Sequence, residues 1–305
     1  MKIAITGGTG FVGRHLADSL AREAHEVAIV GRSATGVGAC SVDDEPALRR
    51  AFEGCDAVAH CAGINREIGR QTYRNVHVRG TRAVVRAAEA VGARKIVLLS
   101  FLRARPACGS AYHESKYAAE EIARASKLDW TIVRSGVIYG RGDHILDHLS
   151  HALHTFPVFG LVGFRDRPIA PVAVADVVRI LKASLVEGAL SRMRVAVVGP
   201  EVIPLGEAVR RVAEVLSKKP VYVRLPIWSH YLLARVFDLA MKVPLVSAAQ
   251  VRILLEGVAE PSPGCDPLPV SLQPEVRLTS DSIPRGLPPP SSFGLTDLRC
   301  CFQAR

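Results

Sequence analysis

Short apolar runs alternate with longer helical patterns along the first 135 residues. The apolar runs, which predict strands, are residues 2–5, 26–30, 37–42, 56–60, 95–99 and 131–134. Residues 80–91 and 112–126 carry apolar positions at helical spacing. Because parallel strands need helical crossovers between them, this alternation predicts an α/β fold with a doubly wound parallel sheet.

The pattern changes near residue 200. A helical segment (175–186) and an apolar run (194–198) still fit the sheet, whereas two later helical segments (206–216 and 228–241) precede a tail with nine of the 19 prolines. Proline cannot donate to a strand ladder, so we expect this tail to be irregular. We predict a first domain of residues 1–140 plus about 168–200, a smaller C-terminal cap of 141–167 plus 201–292 at the substrate side, and a terminal tail of 293–305.

The segment 228–241 is unusually apolar. Its apolar residues are Trp228, Tyr231, Leu232, Val236, Leu239 and Met241. They indicate one of two structures: a cap helix buried over the substrate site, or a helix that lies on a membrane surface or binds a partner. We favour the buried cap helix, because most apolar stripes of this period are buried. Charged residues interrupt the stretch, so we predict no membrane span, although peripheral membrane contact stays open.

Composition excludes disordered and fibrous proteins, because 49% of the 305 residues are hydrophobic and the glycines follow no triplet period. The net charge is +10, and arginine outnumbers lysine by 31 to eight, which favours phosphate-bearing partners. The arginines are scattered and aromatic residues are only 6%, so we expect no nucleic-acid partner.

The cysteines indicate a reducing compartment. There are seven, with no C-x-x-C pair, and no signal-peptide pattern stands at the N-terminus, so we expect a cytoplasmic protein. The adjacent Cys300 and Cys301 are interpreted as part of a free end.

A glycine-rich segment, Thr6-Gly7-Gly8-Thr9-Gly10-Phe11-Val12-Gly13, follows the first strand and opens a helix. In a dinucleotide site Gly7 makes the tight turn, Gly10 lets the backbone approach the pyrophosphate, and Gly13 allows close helix packing. The helix N-terminus then presents free N–H groups to the phosphates. We therefore predict cofactor contacts from Gly7, Thr9, Gly10, Phe11, Val12 and Gly13.

The end of the second strand favours one cofactor over the other. An acid usually stands there in NAD sites, but this chain has Arg32 and Ser33. Arg32 could bind a 2′-phosphate, so we predict a preference for NADP(H), with NAD(H) possible; the alternative is an ordinary surface arginine.

Tyr112 and Lys116 lie four residues apart on a predicted helix, which places both on one face. A nearby ammonium favours the phenolate, so Lys116 is expected to lower the pKa of Tyr112 and make it an acid/base group. Ser100 ends a predicted strand at the carboxyl edge of the sheet, where ligands bind.

Taken together, these motifs resemble the short-chain dehydrogenase/reductase superfamily, in its extended and atypical branches. The other segments that carry the resemblance are His60-Cys61-Ala62-Gly63 after the predicted fourth strand, Val76-His77-Val78-Arg79-Gly80-Thr81, Gly136-Val137-Ile138-Tyr139-Gly140-Arg141-Gly142-Asp143, Val172-Ala173-Val174-Ala175-Asp176-Val177-Val178, Val198-Gly199-Pro200-Glu201 and Gly286-Leu287-Pro288. Among the branches, the chain is most similar to the group that contains the NADPH-binding accessory subunit of respiratory complex I.

The resemblance implies a Rossmann-type NAD(P) site and roles for its residues. Tyr112 would be the acid/base, Lys116 would bind the nicotinamide ribose, and Ser100 would polarise the substrate oxygen. Further cofactor contacts are implied for Val42, Cys61, Ala62, Gly63, His77, Ser135, Gly136 and Val137. Three residues depart from the family pattern: His77 stands for asparagine, Ser135 for proline and Ser41 for aspartate.

Four histidines, His144, His148, His151 and His154, fall near one face of a helix, but no further ligand set accompanies them, and we predict no metal site. Hydride transfer between NADP(H) and a carbonyl or alcohol, with a hydrophobic or quinone-like substrate, is the leading hypothesis. The alternatives are a non-catalytic NADPH-binding accessory or assembly protein, a nucleotide-sugar epimerase or dehydratase, and a regulator that senses the redox state. The oligomeric state is left open.

Overall fold

The computed structural model describes residues 1–165, 167–241, 251, 255 and 257–293, without the side chains of 238–240. Two units are distinguished in the chain. The first contains Met1–Gly136, Val174–Val198 and Glu260–Glu275, and the second contains Val137–Ala173, Gly199–Ala259 and Val276–Arg305. Residues 260–275, assigned to the cap by the sequence analysis, thus belong to the first unit, and which unit binds the substrate stays a prediction.

The first unit is a six-stranded sheet with helices. Its strands are β1 Lys2–Thr6, β2 Glu26–Val30, β3 Ala57–His60, β4 Lys95–Phe101, β5 Asp129–Ser135 and β10 Met193–Val197. Its helices are α1 Phe11–Arg22, α2 Glu45–Ala51, α3 Gly80–Ala90, α4 Ala111–Arg124 and α6 Val174–Val186, with a π-helical turn Arg74–Arg79 before α3 and 3-10 turns Gly36–Gly38 and Val270–Leu272.

The strand order is β10-β5-β4-β3-β1-β2, and every neighbouring pair is parallel. The predicted α/β class, the doubly wound parallel sheet and the Rossmann-type architecture are therefore confirmed. The chain leaves β1 toward β2 and returns to β3 on the other side of β1, so the switch in strand order lies between β1 and β3. Ligands of open α/β sheets bind at the carboxyl ends of the strands at this switch.

The predicted strand at 37–42 is wrong. Gly36–Gly38 forms a 3-10 turn, and a Cβ on Gly38 would lie 2.0 Å from the carbonyl oxygen of Ile29. Only six residues separate Val30 from residue 37, whereas a parallel neighbour needs a crossover of about a dozen. The segment His60–Gly63 consequently follows the third strand, not the fourth.

Among its described residues, the second unit has three two-stranded sheets with helices. Its strands are β6 Ile138–Tyr139, β7 Val158–Val162, β8 Pro168–Ile169, β9 Val172–Ala173, β11 Ile203–Pro204 and β12 Val221–Leu225. Its helices are α5 His144–Thr155, α7 Leu205–Val215, α8 Ile227–Ala240 and a short helix Ile283–Gly286. The pairs are β6 with β9, β7 with β12 and β8 with β11.

Helix α8 differs from the favoured interpretation. Trp228 is 68% exposed and Leu232 is 56% exposed, whereas a helix buried over a substrate site would cover them. Met241 is buried, and the side chain of Leu239 lies outside the described residues. None of the helices in the described part of the chain is long and apolar enough to cross a bilayer.

The histidines of α5 bond mainly to their own helix. His151 and His154 lie within hydrogen-bond distance of the carbonyls of Asp147 and Ser150, while the rings of His144 and His148 are 6.0 Å apart. Across the described ranges, no group of three or more potential metal ligands is present. The predicted absence of a metal remains a prediction, and Cys300 and Cys301 lie outside the described residues.

Candidate functional site

The glycine-rich loop after β1 makes its turn at Gly7, whose φ of +70° favours glycine. A Cβ on Gly13 would lie 2.2 Å from the carbonyl oxygen of Gly7, so the close packing predicted for Gly13 is present. Helix α1 begins at Phe11 with Gly10 as its N-cap, and its first turn carries no acidic residue. Its first N–H groups have no partner within the helix, and the loop therefore suits an anionic phosphate.

The tip of β2 lies beside this loop. The N–H of Gly7 donates to the carbonyl of Val30 at 2.8 Å, and a Cβ on Gly31 would lie 3.2 Å from Oγ1 of Thr9. Arg32 and Ser33 follow at once and are exposed. The structure thus brings the predicted 2′-phosphate residues next to the predicted pyrophosphate loop.

The loop after β3 packs against Gly7, the glycine at the turn of the loop after β1. A Cβ on Gly7 would lie 2.7 Å from the N–H nitrogen of Ala62, and Cys61 donates its N–H to the carbonyl of Thr6 at 3.0 Å. Burial raises the pKa of the Cys61 thiol to about 12, so it remains protonated. Val42, in the turn before α2, packs against Gly80, where a Cβ would lie 2.8 Å from Val42 Cγ2.

Two buried histidines support these loops in defined tautomers. The Thr81 hydroxyl donates to the carbonyl of His77, so it accepts from Nε2 of His60 at 3.0 Å. Nδ1 of His60 consequently accepts from the Thr6 hydroxyl at 2.6 Å. Burial, with Lys116 as the second cause, lowers the pKa of His60 to about 3, and the ring stays neutral.

His77 lies between the β3 loop and α4. Its Nε2 accepts the N–H of Ile64 at 3.1 Å, so Nδ1 donates to the Ser115 hydroxyl at 2.9 Å, and that hydroxyl donates to the carbonyl of Tyr112. Burial, followed by the charge of Lys116, lowers the pKa of His77 to about 2. The ring is neutral, and both of its nitrogens form hydrogen bonds. His77 therefore holds the backbone of Ile64, after β3, close to Ser115 on α4.

Tyr112 and Lys116 lie on α4 as their spacing predicts. The Lys116 ammonium lies 3.4 Å from the carbonyl oxygen of Leu99, and a Cβ on Gly63 would approach its Nζ to 3.0 Å. Burial lowers the pKa of Lys116 to about 8, and the nearby carboxylate of Glu120 opposes this shift. This cation therefore reaches the loop after β3, where glycine leaves room for it.

The pKa of Tyr112 shifts opposite to the expected direction. Burial raises it, with Tyr73 as the second cause, so the phenol keeps its proton at neutral pH. The hydroxyl lies 3.5 Å from Oδ1 of the exposed Asn65. The predicted lowering by Lys116 is not found, because burial disfavours the charged phenolate and Lys116 is not among the groups that shift this pKa.

Aromatic rings surround Tyr112. Tyr73 and Phe101 approach it edge-on with ring centroids 5.6 Å and 5.2 Å away, and Tyr73 also stacks on His77. The Tyr73 hydroxyl donates to the carbonyl of Asn65 at 2.9 Å. The predicted acid/base group thus lies among aromatic rings, with the imidazole rings of His77 and His113 also 5.8 Å from it.

Ser100 has a different partner from the one predicted. Its hydroxyl donates to Oε1 of Glu120 at 2.6 Å, in a fully buried position. The guanidinium of Arg134 binds both oxygens of the same carboxylate at 2.8 and 2.9 Å, and Nε of Arg194 lies 3.1 Å from Oε2. The polarising role of Ser100 stays a prediction, since its proton is directed to Glu120.

Ser135 is the last residue of β5 and pairs with Phe101 of β4, and Gly136 and Val137 follow the strand. The Ser135 hydroxyl donates to the carbonyl of Val197 on β10 at 3.3 Å, and Gly136 ends that part of the first unit. Val137 belongs to the second unit, where its carbonyl accepts the N–H of Val172. Their cofactor contacts remain predictions.

Comparisons with known proteins place the chain in a family. Residues 7–144 match an NAD(P)H-binding family model. The chain is 31% identical over 234 residues to a protein named ceramide reductase from Caulobacter vibrioides, and the alignment covers 73% of each protein. The chain belongs to the NAD(P)-binding short-chain dehydrogenase/reductase superfamily.

Other relatives of this superfamily member are more distant. It is 25% identical over 240 residues to subunit 9 of the NADH dehydrogenase [ubiquinone] 1 alpha subcomplex of Arabidopsis thaliana, covering 73% of this chain and 60% of that protein. It spans 27% of the length of an uncharacterized Mycobacterium tuberculosis protein, with 27% identity over 259 residues. A UDP-glucuronic acid 4-epimerase of Bacillus cereus, solved with UDP-glucuronic acid and NAD, shares the fold at 16% identity with a TM-score of 0.68, covering 93% and 97% of the two chains.

Sequence reasoning missed four residues of the site in this dehydrogenase/reductase chain. They are Asn65, Tyr73, Phe101 and Glu120. The spacing along the sequence could have predicted Glu120, because Tyr112, Lys116 and Glu120 are each four residues apart and therefore lie on one face of the helix. Asn65 and Tyr73 lie in an irregular segment, whose course no periodicity predicts.

The Arg32→Ala variant should weaken NADPH binding about ten-fold or more and leave NADH binding nearly unchanged. The reason is the loss of a charge-assisted contact that only the 2′-phosphate can make. Calorimetric titration with both cofactors measures the difference. Arg94→Ala, at an exposed arginine before β4, is the matched control and should change neither affinity. Equal losses for both cofactors in Arg32→Ala would contradict the assignment.

Proposed function

We propose that this chain is an NADPH-preferring reductase that acts on the carbonyl group of an apolar, lipid-like substrate. The observation that carries the proposal is the Tyr112 phenol, buried among aromatic rings, kept protonated by that burial and followed one helical turn later by Lys116. A protonated phenol is the form needed to donate a proton during carbonyl reduction.

The residues present fit the cofactor. In the loop after β1, a Cβ on Gly7 or Gly13 would come too close to neighbouring backbone atoms, so both positions require glycine. The first turn of α1 contains no acidic residue. Phe11, Val12 and Gly13 would offer N–H groups to the pyrophosphate, Arg32 and Ser33 would bind the 2′-phosphate, and Lys116 would bind the nicotinamide ribose.

The chemistry divides between cofactor and chain. When bound, the reduced nicotinamide supplies a hydride to the carbonyl carbon. Tyr112 donates its hydroxyl proton to the carbonyl oxygen, which gives the alcohol, and solvent then returns a proton to the phenolate. The Lys116 ammonium stabilises that phenolate while it exists. Tyr73 and Phe101 exclude water beside the reacting oxygen and favour an apolar neighbour over a sugar.

The relative named ceramide reductase supports the same class of lipid-like substrate. A ceramide is a long-chain lipid, and the resemblance to a ceramide reductase extends over most of both chains. The aromatic surroundings of Tyr112 agree with a substrate whose carbonyl is flanked by apolar groups.

A substrate panel tests the proposal through the oxidation of NADPH, followed by its absorbance. The panel contains the ketone obtained by oxidising ceramide, a simple long-chain ketone, a short-chain ketone, a quinone and a UDP-sugar. We expect turnover with the long-chain ketones and far less with the short one, because apolar burial contributes about 0.8 kcal/mol per CH₂ group. Turnover with the UDP-sugar or the short-chain ketone alone, or no turnover with either long-chain ketone, would contradict the proposal.

One observation favours a second candidate, a non-catalytic NADPH-binding accessory protein. The Ser100 hydroxyl donates its proton to Glu120. The predicted role, in which this hydroxyl polarises a substrate oxygen, would need the same proton. Such a protein would bind NADPH tightly and leave the whole panel unreacted.

A further inference from the structure

Helix α8 in the second unit carries an exposed apolar stripe. Trp228, Leu232 and Val236, spaced four residues apart, are 68%, 56% and 49% exposed. His230 and Ala234 are buried and lie about 200° around the helix from Trp228 and Leu232. The helix therefore packs on one side and presents large apolar side chains on the other.

The stripe extends beyond the helix. Ile227 is exposed at the start of α8, and a Cβ on Gly163 would lie 3.5 Å from Ile227 Cγ1. The neighbouring Phe164 is 70% exposed. We call Phe164, Ile227, Trp228, Leu232 and Val236 the α8 surface. Clustered exposed apolar residues of this size mark a contact surface more often than scattered single ones do.

Basic residues predominate in the sequence around the α8 surface, and Asp238 is the one acidic residue of α8. Between Glu214 and Asp238 the sequence has four basic residues, Lys218, Lys219, Arg224 and Arg235, and no acidic residue. Arg235 is exposed and directly precedes Val236 of the stripe. An apolar helix face bordered by cations matches a bilayer interface, where tryptophan lies at the headgroup level and anionic lipids attract arginine and lysine.

We propose that the α8 surface binds the surface of a membrane that contains anionic lipids, with α8 lying in the plane of the interface. A second copy of the chain fits less well, because symmetric pairing of this surface would bring like-charged residues together. The proposal goes beyond the proposed reductase activity and does not depend on it.

Vesicle binding tests the proposal without any enzyme assay. Sedimentation with vesicles of equimolar phosphatidylcholine and phosphatidylglycerol measures the affinity of the chain for an anionic membrane. Sedimentation with vesicles of phosphatidylcholine alone measures how much of that binding does not require anionic lipid. We expect clear binding to the mixed vesicles, weaker binding to phosphatidylcholine and a decrease with salt. Leu232→Asp should reduce binding to the mixed vesicles about ten-fold or more, and Arg235→Gln about five-fold.

A matched control comes from the first unit. Val270 is 89% exposed and lies outside the α8 surface, so Val270→Asp adds the same charge and should leave vesicle binding unchanged. Equal losses in Leu232→Asp and Val270→Asp would overturn the proposal, because any added negative charge would then explain them. Cofactor binding, measured in parallel, shows that the variants are folded.

The two tryptophans add a direct readout. Trp228 is exposed and Trp130 is 8% exposed, so a blue shift of emission on adding vesicles must come from Trp228. Trp228→Phe should remove the shift while vesicle binding persists. Absence of a shift in the wild-type chain, or a dimer in solution that Leu232→Asp converts to a monomer without vesicles, would overturn the proposal in favour of another occupant.

Discussion

The Tyr112→Phe variant should bind NADPH as tightly as the wild-type chain while its turnover of a carbonyl substrate falls by about 10²–10⁴-fold. The substitution removes one hydroxyl and keeps the ring, so the contacts of the ring with Tyr73 and Phe101 remain. The lost hydrogen bond to Asn65 is long, at 3.5 Å, and contributes little to stability. A large loss of turnover would thus report the proton transfer itself.

Tyr73→Phe is the matched control for this prediction. Tyr73 lies against Tyr112, and its hydroxyl donates to the carbonyl of Asn65 at 2.9 Å, so that proton is already engaged. We expect Tyr73→Phe to change the stability of the 65–73 segment and to leave turnover within a few-fold of the wild type. Full turnover in Tyr112→Phe would remove the phenol from the mechanism and favour the accessory role, in which only NADPH binding matters.

Much of the geometry of the glycine-rich loop after β1 was predictable from the sequence, because it is set by local rules. Gly7 needs a positive φ, Gly13 has no room for a Cβ, and the loop directly joins a strand to a helix. The carboxyl ends of parallel strands share one edge, which places the loops after β1 and β3 together. Arg32 follows β2, the neighbour of β1, and so falls beside the same loop.

The environment of Ser100 was not predictable in this way. Ser100 and Phe101 lie at the end of β4, and both contact helix α4: Phe101 contacts Tyr112, and Ser100 donates to Glu120 two turns further along the helix. Which residue of α4 lies opposite Ser100 depends on how the helix packs on the strand, and the sequence pattern of β4, buried almost throughout, carries no alternation that would decide it.

The missing strand at 37–42 illustrates a different limit. Its short run of mostly apolar residues suggests a strand, but the segment lies too close to β2 to pair with it in parallel. Chain length between elements, rather than hydrophobicity, decided the outcome.

The Glu120→Gln variant should lower the free energy of unfolding by about 3–5 kcal/mol. Glu120 is fully buried and accepts from the Ser100 hydroxyl and from Nε and Nη2 of Arg134, while Arg194 lies within ion-pair distance. Glutamine keeps the shape and removes the charge, so the buried Arg134 would lose its counter-ion. Arg134 also donates to the carbonyls of Ser262 and Pro263, so the same loss should loosen the segment 260–275 from the sheet.

Urea denaturation followed by Trp130 fluorescence measures the effect in the first unit, in a Trp228→Phe background that removes the second signal. Glu121→Gln is the control, because Glu121 is the next residue on α4 and its ion pairs with Arg124 and Arg194 are partly exposed, where such pairs contribute about 0–1 kcal/mol. Ser100→Ala should cost about 1–3 kcal/mol, since Glu120 loses a donor. Wild-type stability in Ser100→Ala together with a loss of turnover would instead show that its hydroxyl serves the substrate. A cost below about 1 kcal/mol in Glu120→Gln would mean that Arg134 does not depend on this carboxylate, because an uncompensated buried guanidinium cannot be that inexpensive.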